Sequence, residues 1–148
     1  MAESESVARL NSTEETYIET IDVLIREHSY AVVTDIAKQL NVKSPSVTSM
    51  LKKLDSLGFV KYTPYRSVVL TQKGKDLAGF LKKRQKSLET LLNLLGVEGL
   101  FAEQDACAIE HILKAPTLQK LSLFVEFLKT PEGVALLEKF RDYQAAKK

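Results

Sequence analysis

The 148-residue sequence lacks the features that would tie it to an extracellular or membrane setting. It has one cysteine, so no intramolecular disulfide can form. Its apolar runs are far too short to span a bilayer, and its first ten residues, MAESESVARL, lack the apolar core of a signal peptide. These absences predict a cytoplasmic protein without a membrane partner.

The charge is nearly balanced in total but unevenly placed along the chain. Residues 1–40 carry 3 basic and 8 acidic side chains, residues 41–86 carry 11 and 2, and residues 87–148 carry 7 and 9. The middle segment is typical of a nucleic-acid-binding region, because clustered cations attract phosphates. A solvated helix face is the alternative interpretation, and we favour it for the cluster Lys82, Lys83, Arg84 and Lys86 taken alone.

Two helices are predicted before residue 42. Ser12 and Glu15 form a capping box for a helix that runs to about His28. Thr34 can cap a second, short helix that ends at Asn41.

A third helix and a hairpin follow. Ser44 is the expected N-cap, Pro45 the first helical residue and Gly58 the left-handed stop. The β-branched and aromatic runs 59–63 and 67–70 predict a hairpin. Two short helices followed by a hairpin form a winged helix-turn-helix, in which the second helix of the pair enters the major groove of DNA.

Leucine spacing and helix breakers predict four more helices. Thr71 caps a long helix up to Gly96, and the others cover about 100–114, closed by Pro116, then 117–129 and 131–146. The predicted fold is therefore mainly α, with a winged helix-turn-helix domain at 1–74 and an all-helical domain at 75–148.

Short polar residues begin the helix that would enter the groove, and cations follow one turn later and on the wing. Such side chains fit close to base edges and phosphates. Further cations, Lys73 and Lys75, start the next helix. The candidate DNA-binding residues are Lys43, Ser44, Pro45, Ser46, Thr48, Ser49, Lys52, Lys53, Tyr65 and Arg66.

Four residues with metal-ligating side chains share one side of the helix at 100–114: Glu103, Cys107, Glu110 and His111. Thiolate, carboxylate and imidazole groups converging from one helix make half of a transition-metal site. The first helix offers Glu15, Glu19 and Asp22, and Glu19 could complete the site if the two helices pack together. A buried structural cysteine and a solvated Glu-His pair remain the alternative, and Asp22 can simply pair with Arg26.

A catalytic Cys-His pair is weaker still as an interpretation. No third residue orients the imidazole, and no oxyanion-hole motif appears. We therefore expect neither an enzyme nor a small-molecule substrate.

Residues 16–78, from TYIETIDVLI to LTQKGKDLA, resemble the winged-helix half of the metal-dependent repressors typified by the diphtheria toxin repressor and the manganese transport regulator. LLNLLGV and the Cys-x-x-Glu-His motif at Cys107, Glu110 and His111 resemble the dimerisation and metal-binding half of that family. The resemblance covers roughly residues 10–128. It implies a homodimeric repressor of a double-stranded DNA operator.

The resemblance also implies metal ligands. Glu110, His111 and Glu19 match ligand positions, and Cys107 lies where iron-type members have cysteine and manganese-type members glutamate. Thr16 and Gln85 occupy positions where the family places better ligands. Glu89 and Glu103 correspond to ligands of a second site.

Softness of the ligands favours one metal over others. A thiolate prefers iron, cobalt, nickel or zinc to manganese. We favour Fe(II), with Mn(II), Zn(II) or Co(II) as the other candidates. The alternatives to a metal-responsive repressor are a metal-independent winged-helix regulator with a degenerate site and a helical protein-interaction module.

Overall fold

The computed structural model describes residues 10–148, in the order helix, helix, helix, hairpin and four helices. The predicted mainly helical architecture, with a winged helix-turn-helix first, is confirmed. The elements are α1 Ser12–His28, α2 Val33–Leu40, α3 Ser44–Ser56, β1 Val60–Lys61, β2 Val69–Leu70, α4 Gln72–Leu94, α5 Leu100–Ile112, α6 Ala115–Leu128 and α7 Pro131–Ala146.

The chain divides into two compact units, and the division falls inside α4 between Lys82 and Lys83. The domain boundary predicted after residue 74 stays a prediction. Each unit has a hydrophobic core of its own.

The N-cap of α1 is one residue earlier than predicted. Asn11 Oδ1 accepts a hydrogen bond from the backbone N–H of Glu14 at 2.9 Å, and the Glu14 carboxylate accepts one from the Asn11 N–H at 3.1 Å. Asparagine caps helices as well as serine does. The capping box is therefore Asn11 with Glu14, and the prediction of Ser12 with Glu15 was wrong.

The caps of α2 and α3 also differ from the prediction. Val32 and Lys43 are the N-caps, neither with a side-chain cap, so Thr34 and Ser44 already lie within their helices. Pro45 still falls in the first turn, where its missing N–H leaves no intrahelical bond unmade. Gly58 has φ +81°, as expected for a left-handed stop.

The wing is a short antiparallel hairpin in which Val60 pairs with Leu70 and Lys61 with Val69. Its strands are shorter than the predicted runs 59–63 and 67–70. Val68 instead pairs with Ala31, where the chain passes from α1 to α2, and its N–H donates to the Ala31 carbonyl at 2.7 Å. This bridge anchors the wing to the helix-turn-helix.

The core of the first unit is built from the apolar faces of its helices and the inner face of the wing. α3 contributes its buried stripe, Val47, Leu51 and Leu54. Burying this stripe leaves the opposite face of α3 in solvent, as expected for an amphipathic helix. The other fully buried large apolar residues are Ile18, Ile21, Ile36, Val60, Val68 and Leu81.

The second unit packs α4, α5 and α6 around Leu88, Ala106 and Leu118. Pro116 lies in the first turn of α6 instead of closing α5, which ends at Ile112. The last helix packs against α6, and its Gln144 Nε2 donates to the Leu95 carbonyl after α4 at 3.0 Å. Across residues 10–148, each helix is too short or too polar to cross a lipid bilayer.

Candidate DNA-binding surface and metal-ligating residues

The outward face of α3 carries the side chains that the sequence nominated for DNA contact. Its polar side chains and the residues at its start are exposed, and Thr48 is half-buried. A helix whose start is exposed, polar and basic can approach base edges and phosphates closely. The exposed residues are Lys43, Ser44, Pro45, Ser46, Ser49, Lys52 and Lys53.

The wing tip projects two further candidates, Tyr65 and Arg66, into solvent. Tyr65 adopts φ 63°, and the Arg66 N–H donates to the Thr63 carbonyl at 3.1 Å, which closes the turn. The turn thus presents an aromatic ring and a guanidinium group next to each other. These groups suit the sugar-phosphate backbone.

Two of the lysines have contacts within the first unit. Lys53 of α3 forms an ion pair with Glu14 of α1. Lys73 of α4 donates to the Leu57 carbonyl at 2.9 Å, and its ammonium lies 4.3 Å from the centre of the Phe59 ring. Lys73 therefore holds the end of α3 and the start of the wing in place, a role that its charge alone does not reveal.

Burial acts to raise the pKa of Glu14, but the hydrogen bond from Lys53, the N–H of Asn11 and the charge of Lys53 together outweigh it and lower the pKa. The carboxylate is thus held ionised within the first unit. The ionised form is the one that caps α1 and pairs with α3.

Four candidate metal-ligating residues of the second unit lie on one helix, α5. Glu110 is fully buried, Cys107 and His111 are half-buried, and Glu103 is exposed one turn before Cys107. The carboxylate Oε2 of Glu110 lies 3.7 Å from His111 Nε2. The structure thus places the Glu110 carboxylate beside the His111 imidazole. Their assignment as metal ligands stays a prediction.

Arg84 is the residue near this group that sequence reasoning missed. Its guanidinium Nη2 lies 3.4 Å from Glu110 Oε1 and donates to the Glu110 backbone carbonyl at 3.1 Å. Only 10% of its side chain is exposed, so the interpretation of this cluster as a solvated face was wrong for Arg84. The spacing Leu81, Arg84, Leu88 places it on the apolar stripe of α4, and that was a signal in the sequence.

The remaining candidates of the second unit have other surroundings. Glu89 pairs with Lys86 at 3.5 Å on the surface of α4. Gln85 is half-buried on the same helix. Their assignment to a metal site stays a prediction.

The candidates of α1 differ in what their side chains do. Thr16 Oγ1 donates to the Ser12 carbonyl at 2.8 Å, and Asp22 accepts from Arg26 at 3.0 Å, as expected for that i,i+4 pair. Glu19 is half-buried and Glu15 is buried. The carboxylates of Glu15 and Glu19 are the stronger donors of this helix, since the Thr16 hydroxyl is a poor metal ligand.

The donors on α5 fit a divalent transition metal. Carboxylate, imidazole and thiolate are ligands of iron, cobalt and zinc, and Glu110 is a carboxylate removed from water, where an added cation compensates a buried charge. Each would bind in its deprotonated form.

Comparisons with protein families match both halves of the chain. The family model "Iron dependent repressor, N-terminal DNA binding domain" matches residues 9–68. The model "Iron dependent repressor, metal binding and dimerisation domain" matches residues 71–133.

Similar proteins include an HTH-type transcriptional regulator of Methanocaldococcus jannaschii, 38% identical over 78% of this chain and 94% of that protein. The HTH-type transcriptional regulator MntR of Geobacillus kaustophilus is 39% identical over 88% of this chain and 91% of its own length.

Among solved structures, the IdeR protein of T. acidophilum superimposes with a TM-score of 0.63 and 27% identity, over 72% of this chain and 51% of that one. The manganese regulator SloR superimposes with a TM-score of 0.62 and 26% identity, over 77% of this chain and 54% of that one. The chain thus spans about half the length of these two solved relatives.

Proposed function

Since this chain belongs to the iron-dependent repressor family, whose members are metal-dependent DNA-binding transcriptional regulators, we propose that it represses transcription as a homodimer when a divalent metal binds Cys107, Glu110 and His111. The observation that carries the proposal is the 3.7 Å approach of the buried Glu110 carboxylate to the His111 imidazole, on the helix that also carries Cys107. We propose that a carboxylate of α1, Glu19 at the position matching the family, completes the ligand set.

Fe(II) is the metal that we favour. The thiolate of Cys107 discriminates against Mn(II), which prefers oxygen ligands, while Co(II) and Zn(II) suit the same donors. The bound cation would supply positive charge to the Glu110 carboxylate and a link between the groups that ligate it. Because thiol and imidazole must lose their protons, we expect metal affinity to fall at low pH.

In the first unit, α3 and the wing are the elements that we propose contact DNA. α3 enters the major groove with its exposed polar start, and the wing tip places Arg66 and Tyr65 against the backbone. In a homodimer the two α3 helices read half-sites about one turn of DNA apart, ~34 Å. Metal that favours this spacing raises DNA affinity, and DNA then raises metal affinity by the same factor.

Fluorescence anisotropy with a labelled operator, with and without chelator, tests the proposal. We expect Fe(II) or Co(II) to tighten binding, and Cys107→Ser and His111→Gln to abolish the response. His28→Gln is the matched control, because His28 is the other histidine of the chain and is exposed.

Two outcomes would point elsewhere. Sequence-specific binding that no metal changes would favour a metal-independent winged-helix regulator. Binding that does not weaken steeply with salt, or that ranks no duplex above random DNA, would favour a protein-interaction module.

A further inference from the structure

The surroundings of Glu110 within the second unit include a cation of the protein itself. Arg84 reaches Glu110 twice, with Nη2 3.4 Å from the carboxylate Oε1 and 3.1 Å from the backbone carbonyl. The second contact fixes the guanidinium to the backbone of α5. Arg84 therefore stays near the carboxylate because two different groups of Glu110 hold it.

Burial makes this contact energetically important. The Glu110 side chain has no exposed surface, and that of Arg84 keeps 10%. A buried carboxylate without a partner is costly, so removing one member of such a pair is more harmful than losing a surface ion pair. The guanidinium remains charged at every physiological pH, so Glu110 has a cationic neighbour whether or not metal is present.

We infer that Arg84 is a built-in counter-cation that competes with the divalent metal for the charge of Glu110 and so sets the metal concentration at which the protein responds. The inference rests on the proposed function for the role of Glu110 as a ligand. A divalent ion near the carboxylate is repelled by the guanidinium or must displace it, and either effect weakens metal binding. In return, Arg84 keeps the metal-free protein folded.

Arg84→Gln is the informative variant, and Lys83→Gln is its matched control. The control removes one charge from the neighbouring position of α4, where the side chain is exposed. Arg84→Lys keeps the charge and loses the fork of the guanidinium. Co(II) is the probe, because it is stable in air and gives a thiolate absorption band that reports on Cys107.

We expect Arg84→Gln to bind Co(II) about 5- to 150-fold more tightly than the wild type, the usual range of coupling between two sites. The Co(II) affinities of Lys83→Gln and Arg84→Lys should stay within about threefold of the wild-type affinity, a difference below the usual coupling range. In chelator, Arg84→Gln should unfold at lower urea concentration than Lys83→Gln. Added Co(II) should increase the stability of Arg84→Gln more than that of Lys83→Gln.

The outcomes separate this inference from the proposed function. Equal Co(II) affinity in the wild type, Arg84→Gln and Lys83→Gln would overturn the inference and leave the metal switch standing. Co(II) binding by Arg84→Gln alone would support the inference and overturn metal control of the natural chain. Absence of binding in all of them would overturn both.

Arg84→Gln remains testable if it does not fold in chelator. Co(II) is then titrated while helix content is followed by circular dichroism. Recovery of helix supports the inference, because the metal replaces the missing charge. Failure to recover overturns it.

Discussion

Glu14 shows how one side chain can serve two elements of the first unit. It completes the capping box of α1 and pairs with Lys53 of α3. The Lys53 side chain is 56% exposed, so the ion pair is screened by water and contributes at most about 1 kcal/mol. The cap adds a contribution of similar size.

We expect Glu14→Gln to lower the free energy of unfolding by up to about 1 kcal/mol at pH 7, because the ion pair with Lys53 is lost while Gln at this position can still accept from the Asn11 N–H. Because the folded protein lowers the pKa of Glu14, this stability is present above the pKa of the unfolded chain and is lost as pH falls through the lower, folded value. Urea unfolding at pH 7 and pH 3, in chelator, should show the difference shrinking at pH 3. Exposed Glu27→Gln is the control, and a difference that grows at pH 3 would contradict the prediction.

At the scale of elements, the junction of wing and α4 depends on close backbone approach. The Thr71 hydroxyl accepts from the Gly74 N–H at 3.1 Å and donates to the Gly58 carbonyl at 2.6 Å. A Cβ at Gly74 would lie 2.1 Å from the Phe59 carbonyl oxygen. The first turn of α4 can therefore pack on the wing only without a side chain there.

Gly74→Ala should lower the free energy of unfolding by about 2–3 kcal/mol, because backbone must move to admit the methyl group. Gly79→Ala, in the same helix but with open space around its Cβ, should instead add about 1 kcal/mol from helix propensity. Urea unfolding of both variants measures this. Similar effects of the two changes would show that packing at Gly74 does not matter.

Arg66 lies exposed at the tip of the wing. If its guanidinium neutralises a phosphate, Arg66→Ala should weaken binding to operator and random DNA alike and reduce the salt slope of log K by about one. Anisotropy at several salt concentrations measures the slope. Exposed Lys139→Ala in α7 is the control, and an unchanged slope for Arg66→Ala would remove the wing from the DNA-binding surface.

At the scale of the whole molecule, large apolar side chains remain exposed in the second unit. Phe124 and Phe127 of α6 stack with ring centres 6.3 Å apart. Exposed apolar groups of this size are typical of interaction surfaces, and homodimerisation is characteristic of the family. The others between residues 100 and 127 are Leu100, Phe101, Ile112 and Leu123.

Phe124→Glu should weaken the homodimer by about a hundredfold or more, because a carboxylate would be buried without a partner. Sedimentation over a range of concentrations measures the monomer fraction. Tyr30→Glu, at an exposed aromatic residue of the first unit, should leave the dimer intact. A dimer unaffected by Phe124→Glu would place the interface elsewhere on the chain.

The sequence by itself determined the order of the elements, the winged helix-turn-helix, the basic and polar start of α3 and the placement of Cys107, Glu110 and His111 on one helix, because these follow from periodicity and helix-stop signals along the chain. The start of α1 was mispredicted because Asn11 and Ser12 are equally good caps in the sequence, whereas the hydrogen bonds of the structure select Asn11. Tertiary structure alone decided the pairing of Glu14 with Lys53 and of Arg84 with Glu110. Such contacts join residues distant in the sequence, and their strength depends on burial, which local sequence patterns do not fix.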